Sequence, residues 1–424
     1  MPTQSFYSKL SRKKNLEAAW RIVNRNGLRS LSADTQREVE EFAKNAPTEL
    51  TRIAKQIKQG KFKFQPAWGL LIEKEDKKKK RPIVRASVSE RIVQRAILDV
   101  VQKIPKIRKI LNAGHNFGGV SEGGVSEAIG HAFKASQDHP YFIRTDIKSF
   151  FAEVPREKAI APILEAVAED NQFSKIFREA VTTELDNLGS FTAEERALFP
   201  LDEIGVAQGS ALSPLICNIY LQDFDKALNI KKRGVVCIRY IDDFILFAQN
   251  GRKAHAALQG ARKMLSDLGL DAYDPAVDRK KAEEGLVKDG FGFLGCEIHP
   301  SQIIPDADSR ASIIQKVKKI LDDGLKFAKQ PVAALKQKMT FAETILRVSN
   351  TVRGWGNTYF FCNDDRVFNQ LDQKIDALVE SFRRSYDART KSLSVTERRL
   401  SIGVRLLADR KRNYSAFKKK VPAA

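Results

Sequence analysis

Apolar residues recur at helical spacing from about residue 15 to Gly60. There "EVEEFAKNAPTELTRIAKQIKQG" predicts helix that breaks near Pro47 and stops at the glycine. The pattern then changes to alternation. "FKFQPAWGLLIEKEDKKKKRPIVRAS" carries apolar and polar positions on both sides of a charged turn, which predicts a β-hairpin. "SERIVQRAILDVVQKIP" returns to helical spacing, from a cap at Ser89 to Pro105. "YFIRTD" (141–146) is a short β-rich run, followed by a turn and a helix opening at Pro155 in "PREKAIAPILEAVAED". "GSALSPLICNIYLQDFDKAL" predicts one long helix from near Ser210. "VVCIRY" and "FILFA" read as two strands of a hairpin, "KAHAALQGARKMLSDLGL" as an amphipathic helix, and "GFGFLGCEIH" as one further β segment.

Beyond about residue 308 helical spacing dominates, in "ASIIQKVKKILDDGLKFAKQ", "FAETILRVSNTVRGWGNTYFF" and "RVFNQLDQKIDALVESFRRSYD". The expectation is an α+β body followed by a helical part. Composition adds a partner class. Over 424 residues, Lys and Arg exceed Asp and Glu by 21, and residues 366–424 alone hold 15 basic against six acidic side chains. That excess fits the electrostatic footprint of a nucleic-acid binder, the alternative being a basic protein that binds anionic surfaces without specificity. No run of 18 apolar residues occurs, so no membrane span is expected, and the N-terminus lacks the apolar core of a signal peptide. Four cysteines, at 217, 237, 296 and 362, form no CxxC pair. They argue against a zinc site or a disulfide framework, and a reducing cytoplasm is the expected setting.

The chemistry is concentrated in "CIRYIDDFILFA" (237–248). Asp242 and Asp243 are adjacent carboxylates between apolar runs, and such a pair needs a cation if it is buried. Two acidic residues on a hairpin are commonly plain turn formers, but these flanks predict a buried sheet. A third carboxylate, Asp146, ends the "YFIRTD" run. If that strand lies beside the hairpin, Asp146 and Asp242 converge. The pattern then fits two divalent ions about 3.5–4 Å apart. Mg²⁺ takes few protein carboxylates and relies on substrate phosphates for the rest, so two or three aspartates suffice, with Mn²⁺ as a substitute.

The ordered set "RTDIKSFF", "AQGSALSPLICNIYL", "YIDD" and "FGFLGCEI" resembles the reverse transcriptases. The four stretches are similar to that family's motifs A, B and C and its primer grip. "KKKKRPIVRASVSERIVQRAI" and "HNFGGVSEGGVSEAIGHAF" resemble finger motifs of bacterial, group II intron-like enzymes, and "TVRGWGNTYFF" their thumb helix. The resemblance covers residues 50–362. It implies a right-hand polymerase: a helical extension (1–60), fingers and palm with an antiparallel sheet (61–308), a helical thumb (309–390) and a basic C-terminal segment (391–424).

The same resemblance implies roles. Asp146, Asp242 and Asp243 would be catalytic. Asp146 and Asp242 would ligate both ions, the carbonyl of Ile147 one of them, and Asp243 would stand further out. Tyr240 would lie beneath the primer terminus, with Gly295 in the primer grip. Gln208 and Gly209 would line the incoming nucleotide, although Ala207 replaces a frequent proline. Lys74 and Arg81 would straddle the finger hairpin and hold the β- and γ-phosphates. Arg85 and Arg91 would contact template or phosphate. Lys280 or Lys281 would be the motif D lysine near the pyrophosphate. Phe151, five residues after Asp146, reads as a steric gate: a phenyl ring cannot accept a hydrogen bond from a ribose 2′-hydroxyl and would clash with it. Its structural alternative is a core aromatic, as expected for Phe150.

Downstream, Arg347, Arg353 and Trp355 would meet the duplex, Trp355 being equally readable as a buried thumb residue. Arg383, Arg384, Arg398, Arg399 and Lys418, Lys419 and Lys420 suit a structured RNA bound by shape and backbone. The expected partners are a structured noncoding RNA template, dNTPs and a cDNA product. No HNH-like Cys/His cluster and no room for an RNase H domain are seen. The placement that follows is a stand-alone bacterial reverse transcriptase of the unknown-group or defence-associated family, with class 2 as one candidate. The competing readings are an RNA polymerase or template-independent nucleotidyl transferase on the same palm, and an inactive RNA-binding scaffold. Phe151 weighs against the first and the intact aspartates against the last.

Overall fold

A computed structural model describes residues 5–30, 32–73, 80–230 and 234–407. The chain forms two compact units, Met1–Asp289 and Gly290–Ala424.

The first unit opens with helices α1 (Phe6–Leu10), α2 (Lys13–Leu28), α3 (Ala33–Lys44) and α4 (Ala46–Lys58). The helical stretch therefore breaks twice, after Leu28 and at Asn45. Pro47 lies in the first turn of α4, where its missing N–H costs nothing, and so opens a helix instead of interrupting one. A two-stranded hairpin follows, β1 (Trp68–Glu73) antiparallel to β2 (Lys80–Arg85). The helix α5 (Val88–Val101) is capped by Ser87, not Ser89. Ser87 Oγ accepts from the Glu90 N–H, and the Glu90 carboxylate accepts from the Ser87 N–H, a reciprocal box that Ser89 cannot form. Leu16, Ala19, Ile53, Ile57, Ile92 and Ile97 lie in one core with the palm residues, so the N-terminal helices are integral to this unit and not an appendage.

Next come α6 (Pro105–Leu111), α7 (Val125–Asp138), β3 (Tyr141–Asp146), α8 (Phe150–Glu153), α9 (Arg156–Ala166), α10 (Asn171–Val181) and α11 (Ala193–Arg196). The long helix expected from Ser210 is two short ones, α12 (Ser213–Tyr220) and α13 (Gln222–Leu228), divided at Leu221. Ser210 belongs to the preceding turn, where its hydroxyl accepts from the Leu212 N–H. The strands β4 (Val235–Tyr240) and β5 (Asp243–Ala248) form the expected hairpin, followed by α14 (Gly251–Asp267) and β6 (Glu283–Leu286). The palm sheet has the order β4-β5-β3-β6, antiparallel throughout. Ile143, Phe244 and Leu246 bury one face of it in the common core.

In the second unit, "GFGFLGCEIH" is not one strand but a hairpin. β7 (Phe291–Phe293) and β8 (Cys296–His299) join through Leu294 and Gly295, both at positive φ as a tight primed turn requires, and β9 (Gln302–Pro305) completes the sheet. Helices α15 (Ala307–Lys326), α16 (Pro331–Gln337), α17 (Phe341–Thr358), α18 (Asp365–Thr390) and α19 (Val395–Ser401) follow. The break between units lies before β7, not near residue 308. The sheet is tied to the helix after it, Asp306 N–H and Ser309 Oγ both donating to Gly295 O.

Candidate active site

The palm sheet brings the three aspartates to one end. Register pairs Asp146 with Asp243 across β3 and β5, and Asp243 with Tyr240 across β4 and β5, leaving Ile241 and Asp242 as a two-residue turn. The Ile147 N–H donates to the Asp242 carbonyl at 2.9 Å, so the turn is stitched to the chain leaving β3. Burial first, and then the charge of Asp146, push the Asp243 carboxyl up to about 7 and raise that of Asp242. Asp243 Oδ1 is buried with no hydrogen-bond partner. A crowded carboxylate set with an orphaned oxygen is short of positive charge. Among the described residues no three His, Cys, Asp or Glu side chains form a ready-made metal cage. The set fits a divalent cation that takes few protein ligands and completes its shell with phosphate and water.

The turn itself is unusual. Ile241 has φ 63°, a region a β-branched residue rarely enters. Two elements hold it. The 115–118 loop, part of the "HNFGG" stretch, runs beside β4, with Phe117 N–H donating to Arg239 O and Arg239 N–H to His115 O, both at 2.9 Å. Asn116 Oδ1 accepts from the Ile241 N–H at 3.4 Å and from Gly118 N–H at 3.2 Å. From below, Arg239 donates to the Ile241 carbonyl at 2.7 Å. Arg239 is fully buried and makes a two-pronged pair with Asp225 of α13, at 2.8 and 2.6 Å. Asp225 outweighs the penalty of burial and holds the guanidinium above its ordinary range. The sequence reading did not single out Arg239, Asp225, Asn116 or Asn218. The available signal was an arginine inside the apolar strand "VVCIRY", two residues from Cys237 and so on the core face.

Other predicted residues lie elsewhere in the first unit. Arg81 of β2 is exposed, and its charge acts on Asp242. The charge of Lys281 acts on Asp243, together with that of Arg144 of β3. Lys281 follows a segment strapped to β3: Tyr273 N–H donates to Asp146 O, Lys148 N–H to Asp271 O, and Lys148 pairs with Asp271 at 2.8 Å. Gln208 is fixed through its backbone, its carbonyl accepting from the Val84 N–H of β2 at 2.8 Å. Gly209 has φ 114°, and a Cβ there would lie 2.7 Å from Val84 O, so the turn admits only glycine. Phe150 is 2% exposed and belongs to the core, whereas Phe151 is half-buried at its edge. Tyr240 is half-buried.

Several of the predicted contact residues have partners within the protein. Arg85 lies 3.6 Å from Glu38 and 3.9 Å from Asp34, and Arg91 lies 3.5 Å from Glu38. Both therefore face α3, which the sequence reading did not place beside them. In the second unit, Trp355 packs in the helical core against Tyr359 and Phe368, the structural alternative for that residue. Arg353 donates to Asn350, Arg383 and Arg384 pair with Glu380, and Arg399 donates to Arg405 O, all on exposed faces. Arg398 is exposed on α19. Lys74 and Lys418–Lys420 lie outside the described residues.

Residues 72–298, more than half of the chain, match the family "Reverse transcriptase (RNA-dependent DNA polymerase)". The chain belongs to the reverse transcriptase family. Among curated proteins it is 31% identical over 185 residues to an uncharacterized 91 kDa protein in a cob intron of Schizosaccharomyces pombe, covering 43% of this chain and 21% of that one. Protein YkfC of Escherichia coli is 23% identical over 288 residues, covering 58% of this chain and 70% of that protein. The structure of apo telomerase from Candida tropicalis aligns over 77% of this chain and 64% of that one, with 14% identity and a TM-score of 0.43. As in other reverse transcriptases, the fold mixes helices with antiparallel sheets, and the aspartates Asp146, Asp242 and Asp243 fall inside the matched segment.

Proposed function

We propose that this reverse transcriptase copies an RNA template into DNA by nucleotidyl transfer. The observation that carries the reading is the convergence of Asp146, Asp242 and Asp243 at one sheet end within the matched segment. The reaction is attack of a primer 3′-hydroxyl on the α-phosphate of a nucleotide, with loss of pyrophosphate. Asp146, Asp242 and Asp243, with the carbonyl of Ile147, would hold two Mg²⁺ ions, which when bound acidify the hydroxyl and stabilise charge on the leaving phosphates. The remaining work belongs to side chains. Arg81 meets the triphosphate with a planar fork, and Lys281 stands ready to protonate the leaving pyrophosphate. Phe151 occupies the edge where a ribose 2′-hydroxyl would press, and Gly209 lets the backbone approach the nucleotide. Tyr240 supports the primer end.

The template we infer is a structured noncoding RNA, held by a chain with a net charge of +21. The intron-like finger motifs support placing the enzyme among bacterial defence-associated reverse transcriptases, acting in the cytoplasm. The test is to purify the protein with its cellular RNA, add Mg²⁺ and dNTPs or NTPs, and sequence RNA and product. The expected result is DNA complementary to the bound RNA, abolished by D242A together with D243A. Product that survives those changes removes the assigned site, and product unrelated to the RNA removes templated synthesis.

A further inference from the structure

The buried ion pair beneath the catalytic turn is more than a core contact. Arg239 is 0% exposed and Asp225 is 6% exposed. Taking two charges out of water costs several kcal/mol per ion, and well-packed apolar residues of similar volume usually serve stability as well or better. A pair retained at that cost needs another use, and its hydrogen bonds point to one. Nε and Nη2 engage both oxygens of Asp225, and Nη1 divides between Asn218 Oδ1 at 3.1 Å and the Ile241 carbonyl at 2.7 Å. Asn218 in turn donates to the Gly118 carbonyl at 2.7 Å, so the same network reaches the loop on the other side of the turn. Ile241 is thus gripped at its carbonyl by Arg239 and at its N–H by Asn116, in a backbone conformation it would not adopt unaided. Asp242 and Asp243 are the next two residues.

We propose that Arg239 and Asp225 are positioning residues that set the divalent-cation affinity of the carboxylate cluster, by fixing the left-handed Ile241 and hence the direction of Asp242 and Asp243. The inference rests on that cluster being an ion site. Released from the grip, Ile241 relaxes toward negative φ, the turn re-aims, and the two carboxylates shift relative to Asp146. Lysine cannot replace Arg239. One ammonium cannot hold both Asp225 oxygens and reach Asn218 and Ile241 as a planar fork does.

The test compares the full-length wild type with R239K and with the double variant D225M plus R239M, which replaces the pair by apolar side chains. Three quantities are read: thermal melting, Mn²⁺ binding followed by the loss of the free-ion electron paramagnetic resonance signal, and the Mg²⁺ concentration for half-maximal primer extension. The double variant is expected to melt close to the wild type yet bind Mn²⁺ at least tenfold more weakly, with the Mg²⁺ requirement rising by a similar factor and the template KM unchanged. Wild-type Mn²⁺ affinity in the double variant reduces the pair to core packing and overturns the proposal, as does a wild type that binds no Mn²⁺. If the double variant fails to fold, R239K decides by the same criterion. If the variants lose Mn²⁺ affinity while no form extends a primer, the polymerase reading fails and the positioning role stands.

Discussion

Asp146 and Asp243 are direct partners across the β3–β5 ladder, and the Oδ1 atom of Asp243 is buried with nothing to bond. The pairing places two like charges on the same sheet face, where opposite residues of an antiparallel pair lie closest. The ladder thereby assigns Asp243, and not Asp242, as the cross-strand neighbour of Asp146. Asp242 lies in the turn, close enough for the charge of Asp146 to act on it.

This crowding sets a pH dependence for the metal-free protein. The Asp243 carboxyl is raised from 3.8 to about 7, chiefly by burial and then by Asp146. A raised acid binds its proton more tightly in the folded chain than in the unfolded one. Its contribution to stability is therefore fully present at acid pH and is lost as pH climbs from near 4 through about 7. Thermal melts across that range are expected to show the decline, D243N to flatten it, and added Mg²⁺ to restore stability at pH 8.

Phe151 stands half-buried at the edge of the core that Phe150 fills. F151A is expected to leave dNTP incorporation in place and to lower discrimination against NTPs by about tenfold or more, equivalent to about 1.4 kcal/mol. Competitive primer extension with dNTP and NTP mixtures measures it. Unchanged discrimination returns Phe151 to the core aromatics.

Lys280 and Lys281 are neighbours, and the charge of Lys281 acts on Asp243. Single-turnover extension is expected to slow by about 10²-fold in K281A, the usual loss when a general acid is removed, and to remain unchanged in K280A. Equal effects of the two would dissolve the distinction.

Gly118 packs face to face with the catalytic turn. A Cβ at this position would lie 2.5 Å from Ile241 Cγ1 and 2.8 Å from its backbone nitrogen. G118A is expected to destabilise the first unit by about 1–3 kcal/mol, as overpacking does, and to suppress extension more than that loss of stability accounts for. Chemical denaturation and a rate measurement on the folded variant separate the two effects.

The element types were largely legible because periodicity reports which faces are buried: the β4–β5 hairpin, the finger hairpin and the amphipathic α14 all follow from it. The misjudged boundaries differ in cause. The Ser87-x-x-Glu90 spacing is a capping box that the sequence already displays and that outranks Ser89, whereas α12 and α13 part at Leu221 with no proline or glycine to mark the break. Nothing local announces that Asp34 and Glu38, about fifty residues away in the chain, lie opposite Arg85 and Arg91.

The amino-acid sequence determined the chemistry on offer: three aspartates in two β-rich runs, a phenylalanine at a fixed distance from the first, and a strongly basic chain. Composition and short-range spacing carry that information because they decide local conformation and charge. The tertiary structure decided what those residues face. It paired Asp146 with Asp243, brought the charge of Lys281 to bear on Asp243, and gave a lone arginine in an apolar strand a hydrogen bond to the turn that carries Asp242. These relations join residues from separate elements. They depend on register, and on which buried charge finds which partner, and no local pattern encodes either.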